Sequence, residues 1–201
     1  MFTLPALPFS YKDLQPFLSK EQVRIHYELH HAGYYRQLNQ LISEDTPNQL
    51  SLDDIIINID TRNQSIYNNV CQAWNHNLFW QCLSPSGGGE PGGELKKALI
   101  ETFGNVEKFK SKFEFAAINH FGSGWCWLVY DKSGKIEIQT TSNADCPMSD
   151  RVTPLMTLDL WEHAYLYPPH MTKVDYVTRF WSKINWRFIE AKYQRVLENK
   201  G

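Results

Sequence analysis

Trp125-Cys126-Trp127-Leu128-Val129-Tyr130, Asp131-Lys132-Ser133-Gly134, Lys135-Ile136-Glu137-Ile138-Gln139-Thr140 is the stretch that decides the fold. Two runs rich in aromatic and β-branched residues flank a short polar turn whose Asp and Gly are good hairpin chemistry. The chain before this point has helical periodicity; here the period changes to that of strands. Downstream, a polar loop leads to Pro154-Leu155-Met156-Thr157-Leu158, an apolar run that reads as a third, buried strand. That strand ends on Asp159, and a carboxylate in such a place is costly to bury unless something positive meets it. His163, one helical turn on, could share that something. An acid and an imidazole converging from one short segment are half of a metal site; the plainer alternatives are a buried ion pair or a satisfied core histidine. After Pro168-Pro169, one long helix is expected over residues 173–198, carrying Tyr176, Phe180, Ile184 and Phe188 on its apolar face.

Upstream of the hairpin, helices are expected over residues 94–103 and 106–121, ended by Gly104 and Gly122. Before them lies Ser84-Pro85-Ser86-Gly87-Gly88-Gly89-Glu90-Pro91-Gly92-Gly93, a linker by composition. No Gly-Lys-Ser/Thr closes it and no strand precedes it, so it is not a phosphate loop. The expected division is therefore 1–83, a linker at 84–93, and 94–201.

The first part is helical. Residues 1–18 contain Pro5, Pro8 and Pro16 and read as an extended arm. Ser19 with Gln22 forms a capping-box pattern, opening a helix that should run to about residue 41. On it His26, His30 and Tyr34 share one face, with His31 about 100° round the axis from His30. Thr46-Pro47-Asn48 breaks that helix and Ser51-Leu52-Asp53-Asp54 starts a short one. A further helix over residues 66–83 puts Asn69, Gln72, His76 and Trp80 on one face, with Phe79 beside them. Asn and Gln suit an apolar face poorly, so their alignment with His76 suggests a polar network around something; a solvated face is the alternative.

Composition narrows the partners. The 201 residues are 42% hydrophobic and 21% charged, which is ordinary for a globular protein, and a formal charge of −2 gives no reason to expect a nucleic-acid surface. The N-terminus lacks a basic and then apolar leader pattern, and no apolar run approaches the roughly 18 residues of a membrane span. Cys71, Cys82, Cys126 and Cys146 show no zinc-knuckle spacing and read as buried reduced thiols. The expectation is a cytoplasmic protein with neither membrane nor nucleic acid among its partners.

Four candidate ligands now stand on separate elements: His26, His76, Asp159 and His163. Three imidazoles and a carboxylate suit first-row metals, and a closed tetrahedral zinc would satisfy the same set. A phenol (Tyr34) and a carboxamide (Gln72) from the same two helix faces tilt the reading toward redox chemistry, because such groups hydrogen-bond an exchangeable solvent ligand.

The motifs His26-Tyr27-Glu28-Leu29-His30-His31-Ala32-Gly33-Tyr34, Gln72-Ala73-Trp74-Asn75-His76, Gly87-Gly88-Gly89-Glu90-Pro91, Phe121-Gly122-Ser123-Gly124-Trp125 and Asp159-Leu160-Trp161-Glu162-His163-Ala164-Tyr165 carry a resemblance. In this order, across nearly the whole chain, they resemble the iron/manganese superoxide dismutase family. The resemblance implies an α+β fold: an N-terminal α-helical hairpin domain followed by an α/β domain with a three-stranded antiparallel sheet. It implies a mononuclear metal held by His26, His76, Asp159 and His163, and conversion of two superoxide anions to dioxygen and hydrogen peroxide. Tyr34 and Gln72 would bind solvent and carry protons, His30 would stand at the solvent funnel, and Phe79, Trp125 and Trp161 would wall the site. Glu162 would bridge to the ligand histidine of a second subunit in a homodimer.

Gln72 sits where iron-type members carry the solvent-binding Gln, while the manganese-type position matches Ala144. One iron per subunit is therefore expected, with manganese as the alternative metal. A non-catalytic metal-binding or scaffolding member of the fold is the alternative function; a zinc hydrolase would lack a free general base. Two departures stand out. Leu166 replaces the family's second Tyr, so the cross-subunit bond to His30 should be absent. Beyond it the sequence is Tyr167-Pro168-Pro169-His170-Met171-Thr172-Lys173, with Lys173 standing in for a substrate-attracting Arg and Tyr176 retained. His120 and His170 read as a helix-end and a loop histidine.

Overall fold

The computed structural model describes residues 1–42, 50–58, 63–131, 133–150, 152–167 and 169–199. Its elements run α1 (Lys20–Ile25), a π-helical turn (His26–His31), α2 (Ala32–Leu41), α3 (Leu52–Asn58), α4 (Gln64–Gln81), α5 (Gly93–Phe103), α6 (Val106–Asn119), β1 (Gly124–Tyr130), β2 (Ile136–Ser142), β3 (Thr153–Asp159), α7 (Lys173–Phe180) and α8 (Trp186–Glu198). The break expected at Thr46-Pro47-Asn48 lies outside the described residues.

Side-chain caps start most of the helices. Ser19 and Gln22 form the full capping box, and Asn63, Asn105, Thr172 and Asn185 each accept a backbone N–H of the following first turn. Each such cap contributes about 1 kcal/mol. The sheet order is β2-β1-β3, with both pairings antiparallel. The central strand β1 is buried along its length, and its Trp125 lies in register with Asp159 of β3. α6 packs against β1 and β2, and α4 and α8 against β3.

The expected helix over residues 19–41 is not regular. At His26–His31 it widens into a π-helical turn, a distortion that recurs at functional sites. Within it, the His30 ring stacks on His163 and the His31 ring on His76.

The expected helix over residues 173–198 is interrupted. α7 ends at Phe180, a short 3-10 turn covers Trp181–Lys183, and Ile184 is extended at ψ 133°. Ile184 pairs with Leu83 in an isolated antiparallel bridge, and the Asn185 N–H donates to the Cys82 carbonyl at 2.8 Å. Pairing with a distant segment thus overrides a helical period that continues unbroken from Tyr176 to Phe188.

That pairing also changes the reading of the Gly-rich stretch. Ser84 N–H donates to Lys183 O at 2.8 Å and Gly88 N–H to Ile184 O at 2.9 Å. A Cβ on Gly87 would run into the Lys183 backbone. These glycines are a docked strap that permits close backbone approach.

The core crosses it. One buried cluster joins Leu14, Phe17, Leu78 and Phe79 to Trp125, Trp127, Leu158, Tyr176 and Phe180. A second gathers Tyr35, Leu38, Ile56, Tyr67, Val70 and Cys71 with Ala144 and Cys146.

Candidate metal centre

Four elements deliver the candidate ligands. His26 opens the π-helical turn, His76 lies in the last third of α4, Asp159 ends β3 and His163 sits in the 3-10 turn Glu162–Ala164. Their ligand atoms lie within 4.8 Å of one another. Asp159 Oδ2 is the focus: His26 Nε2 is 3.1 Å away, His163 Nε2 3.2 Å and His76 Nε2 3.4 Å. All but His163 are fully enclosed.

The protonation pattern tests whether this group fits a metal. His76 Nδ1 lies 2.7 Å from the Gln72 backbone carbonyl. A carbonyl only accepts, so Nδ1 carries the proton and the neutral ring turns a lone pair on Nε2 toward Asp159. Two acceptors facing each other in a dry interior repel unless a cation lies between them. Consistent with this, neither His26 Nε2 nor His76 Nε2 makes a well-formed hydrogen bond. Burial pushes the His26 imidazole down to about 3, and His76 moves in the same direction for the same reason. Neutral imidazoles and one carboxylate are a donor set for a first-row cation. The residues fit a metal.

Around this set lies a second layer of contacts. Trp161 N–H donates to Asp159 Oδ1 at 2.8 Å, leaving Oδ2 free to face the histidines. Gln72 is clamped at both ends: Trp125 Nε1–H donates to its Oε1 at 3.0 Å, and its Nε2 donates to the Tyr34 hydroxyl at 3.2 Å. Because an indole can only donate, the carboxamide orientation is fixed. One amide hydrogen then remains for a ligand in the centre. Burial raises the Tyr34 phenol above its ordinary value.

The aromatic residues expected to wall the centre each meet one histidine. Phe79 stacks on His26 (centroids 5.5 Å apart), Trp125 meets His76 edge-on (4.9 Å) and Trp161 stacks on His163 (5.7 Å). His30 is half-buried, stacked on His163 at 4.1 Å and 17°. Glu162 is exposed beside His163. Lys173 Nζ donates to the His120 carbonyl at 2.7 Å, just past the end of α6.

Four further participants were given no role at the site by the sequence reading. His31 is buried, stacks on His76 at 5.3 Å and lies 3.3 Å from the Ala73 carbonyl. Trp80 packs edge-on against His26 at 4.7 Å. Tyr167 meets His30, with 3.2 Å between its hydroxyl and Nε2. Gln22, noticed only as a cap, also bonds the chain near Tyr167. His31 and Trp80 carried a signal, since both sit beside residues already singled out; the other two meet only through long-range contacts.

A helical N-terminal part and a three-stranded α+β part that share one buried His-Asp cluster define a mononuclear metalloprotein. Comparison with known proteins narrows the class. Residues 1–84 match the alpha-hairpin domain of the iron/manganese superoxide dismutases, and residues 91–192 match their C-terminal domain. The chain belongs to this family. Among its relatives, the superoxide dismutase [Fe] of Coxiella burnetii is 45% identical over 96% of this chain and 98% of its own length. Those of Photobacterium leiognathi and Escherichia coli are 44% and 42% identical, each over 94% of this chain and 96% of their own.

Proposed function

We propose that the protein is an iron superoxide dismutase, converting two superoxide anions and two protons to dioxygen and hydrogen peroxide. The observation that carries this reading is the convergence of three imidazole nitrogens on Asp159 Oδ2 beside a carboxamide held between Tyr34 and Trp125. His26, His76, Asp159 and His163 would hold one iron per subunit. Iron, when bound, supplies the one-electron cycle between its divalent and trivalent states.

The chain supplies the rest. Taking up a proton with each electron keeps the charge of the buried centre constant, avoiding a large electrostatic cost. Gln72 Nε2 and the Tyr34 hydroxyl form the short line along which that proton would move. Phe79, Trp125 and Trp161 pack their rings against the ligand histidines, and His30 stands at the entrance. The choice of iron over manganese rests on Gln72 reaching the centre from α4. Ala144, at the loop position that would otherwise supply the amide, is buried in the second hydrophobic cluster and has no polar group to offer.

We further infer a homodimer. Phe121 is 98% exposed and Leu166 41% exposed. Gly124 O accepts from Leu160 N–H and His120 O from Lys173, so the corner carrying Phe121 lies against the segment carrying Glu162 and Leu166. A two-fold contact across this face would let each Glu162 reach the partner's His163. We place the boundary between the two parts at residues 84–93, as a division of ancestry rather than of the core. Four buried cysteine thiols favour a reducing, cytoplasmic setting. No helix among the described residues is long and apolar enough to cross a membrane.

The test is the metal content of the purified protein measured beside superoxide-dependent turnover. Iron near one per chain, with turnover that follows iron content, is expected. Zinc alone, or no turnover after loading with iron or manganese, would overturn the reading. Sedimentation should give twice the chain mass, with Glu162→Ala raising the dissociation constant.

A further inference from the structure

The segment after His163 departs most from the family pattern, and the structure shows what this chain has made of it. Leu166 faces outward. Its neighbour Tyr167 turns inward and places its hydroxyl 3.2 Å from His30 Nε2, the ring centroids 6.1 Å apart. One face of His30 is covered by the ligand histidine His163. The Tyr167 hydroxyl thus sits at the edge of a ring whose plane is already held against the metal cluster.

What keeps Tyr167 there is Gln22. This side chain is 2% exposed and its hydrogen-bonding capacity is spent. Oε1 accepts from Ser19 N–H at 2.8 Å, completing the helix cap. Nε2 points across to the distant segment, at 2.9 Å from Tyr167 O, 3.2 Å from Pro169 O and 3.5 Å from Tyr165 O. Carbonyl oxygens only accept, so this contact needs the amide as donor. A capping box is satisfied equally by Gln or Glu; only Gln can also donate to the carbonyls of Tyr167 and Pro169. A buried amide joined to the carbonyl of Tyr167 itself fixes the backbone from which the phenol reaches His30.

We propose that Tyr167 is a positioning residue that completes the gateway at His30 within a single subunit, and that Gln22 anchors it there. The bond that Leu166 cannot offer from across an interface is made instead by the next residue of the same chain. The gateway is therefore independent of the partner for its hydrogen bond. This inference rests on the reading of His30 as the entrance to the iron.

Two measurements test it. In metal-free protein carrying ¹⁵N-labelled histidine, Tyr167→Phe should shift the His30 Nε2 resonance, and Gln22→Glu should shift it in the same direction by less. In iron-loaded protein, stopped-flow absorbance reads the entry of azide, a small monoanion, to the ferric site. Tyr167→Phe and His30→Ala should each change its entry rate by about three- to tenfold, the size of one neutral hydrogen bond. Gln22→Glu, which keeps the cap, should change it in the direction that Tyr167→Phe does. If His30→Ala alters azide entry while Tyr167→Phe leaves both entry and resonance unchanged, the role of Tyr167 is wrong. If His30→Ala itself leaves entry unchanged, the failure belongs to the gateway reading beneath it. If Tyr167→Phe acts but Gln22→Glu does not, the anchor is wrong.

Discussion

His76 and Gln72 lie one turn apart on α4, and substitution should separate holding the metal from tuning it. His76→Ala removes one of the three nitrogens that face Asp159 Oδ2 in a fully buried place. The variant should purify with little iron, by elemental analysis, and with no superoxide-dependent turnover. Gln72→Ala leaves all four ligand groups but strands the Trp125 indole N–H and the Tyr34 hydroxyl. It should keep iron near one per chain, shift the midpoint potential and turn over about ten- to a hundredfold more slowly, the usual scale for losing a partner that orients a metal site. At this scale the sequence is informative where groups share an element. His26 with His30, Gln72 with His76, and Asp159 with His163 each recur at helical-turn spacing. The link between Gln22 and Tyr167 spans 145 residues, and no local pattern marks it.

The elements were readable where local chemistry decides them. The Ser19 box and the Asp131–Gly134 turn both follow from side chains within a few residues of the backbone groups they satisfy. The break between α7 and α8 is different, because Tyr176, Phe180, Ile184 and Phe188 keep a four-residue period straight through it. Only the bridge from Ile184 to Leu83 shows that the helix must stop. Asn185 is then both the new cap, accepting from Phe188 N–H at 3.2 Å, and a donor to the Gln81 carbonyl at 3.1 Å. Asn185→Ala loses the cap and the tie to α4 together, at a cost of about 1–2 kcal/mol. For a chain of this size that lowers the thermal midpoint by roughly 2–8 °C, readable by differential scanning calorimetry. Gly87→Ala should cost at least as much, since its Cβ meets backbone rather than a movable side chain.

At the scale of the whole molecule, the proposed dimer face and the gateway meet at Leu166 and Tyr167. His30 Nε2 is already paired within the chain, so a Tyr at position 166 would find that nitrogen taken. Leu166→Tyr alone should leave the dimer dissociation constant within about twofold, by sedimentation at dilute concentrations. Leu166→Tyr with Tyr167→Phe should tighten it by about ten- to a hundredfold, one hydrogen bond at each of the two symmetry-related contacts. Equal effects with and without Tyr167 would show that the two residues do not compete for His30.

The Gly-rich strap suggested two separable parts, and composition alone could show no more, because glycines that permit close docking and glycines that permit flexibility look the same in a sequence. One buried cluster joins Leu14 and Phe79 to Trp125 and Phe180 across the strap. The metal cluster lies on the same seam, drawing two ligands from each side of the strap. Chelating the iron should therefore lower the stability of the whole chain, as one calorimetric transition rather than two. Without a cation, the His76 lone pair and Asp159 Oδ2 face each other at 3.4 Å. A ligand bound only by the folded state at a hundred times its dissociation constant contributes about 2.7 kcal/mol, equivalent here to roughly 5–11 °C in the midpoint. Re-adding ferrous iron should restore the midpoint. A metal-free protein that melted at the temperature of the loaded one, or in two resolved steps, would mean that the His-Asp cluster is not coupled to folding across the seam.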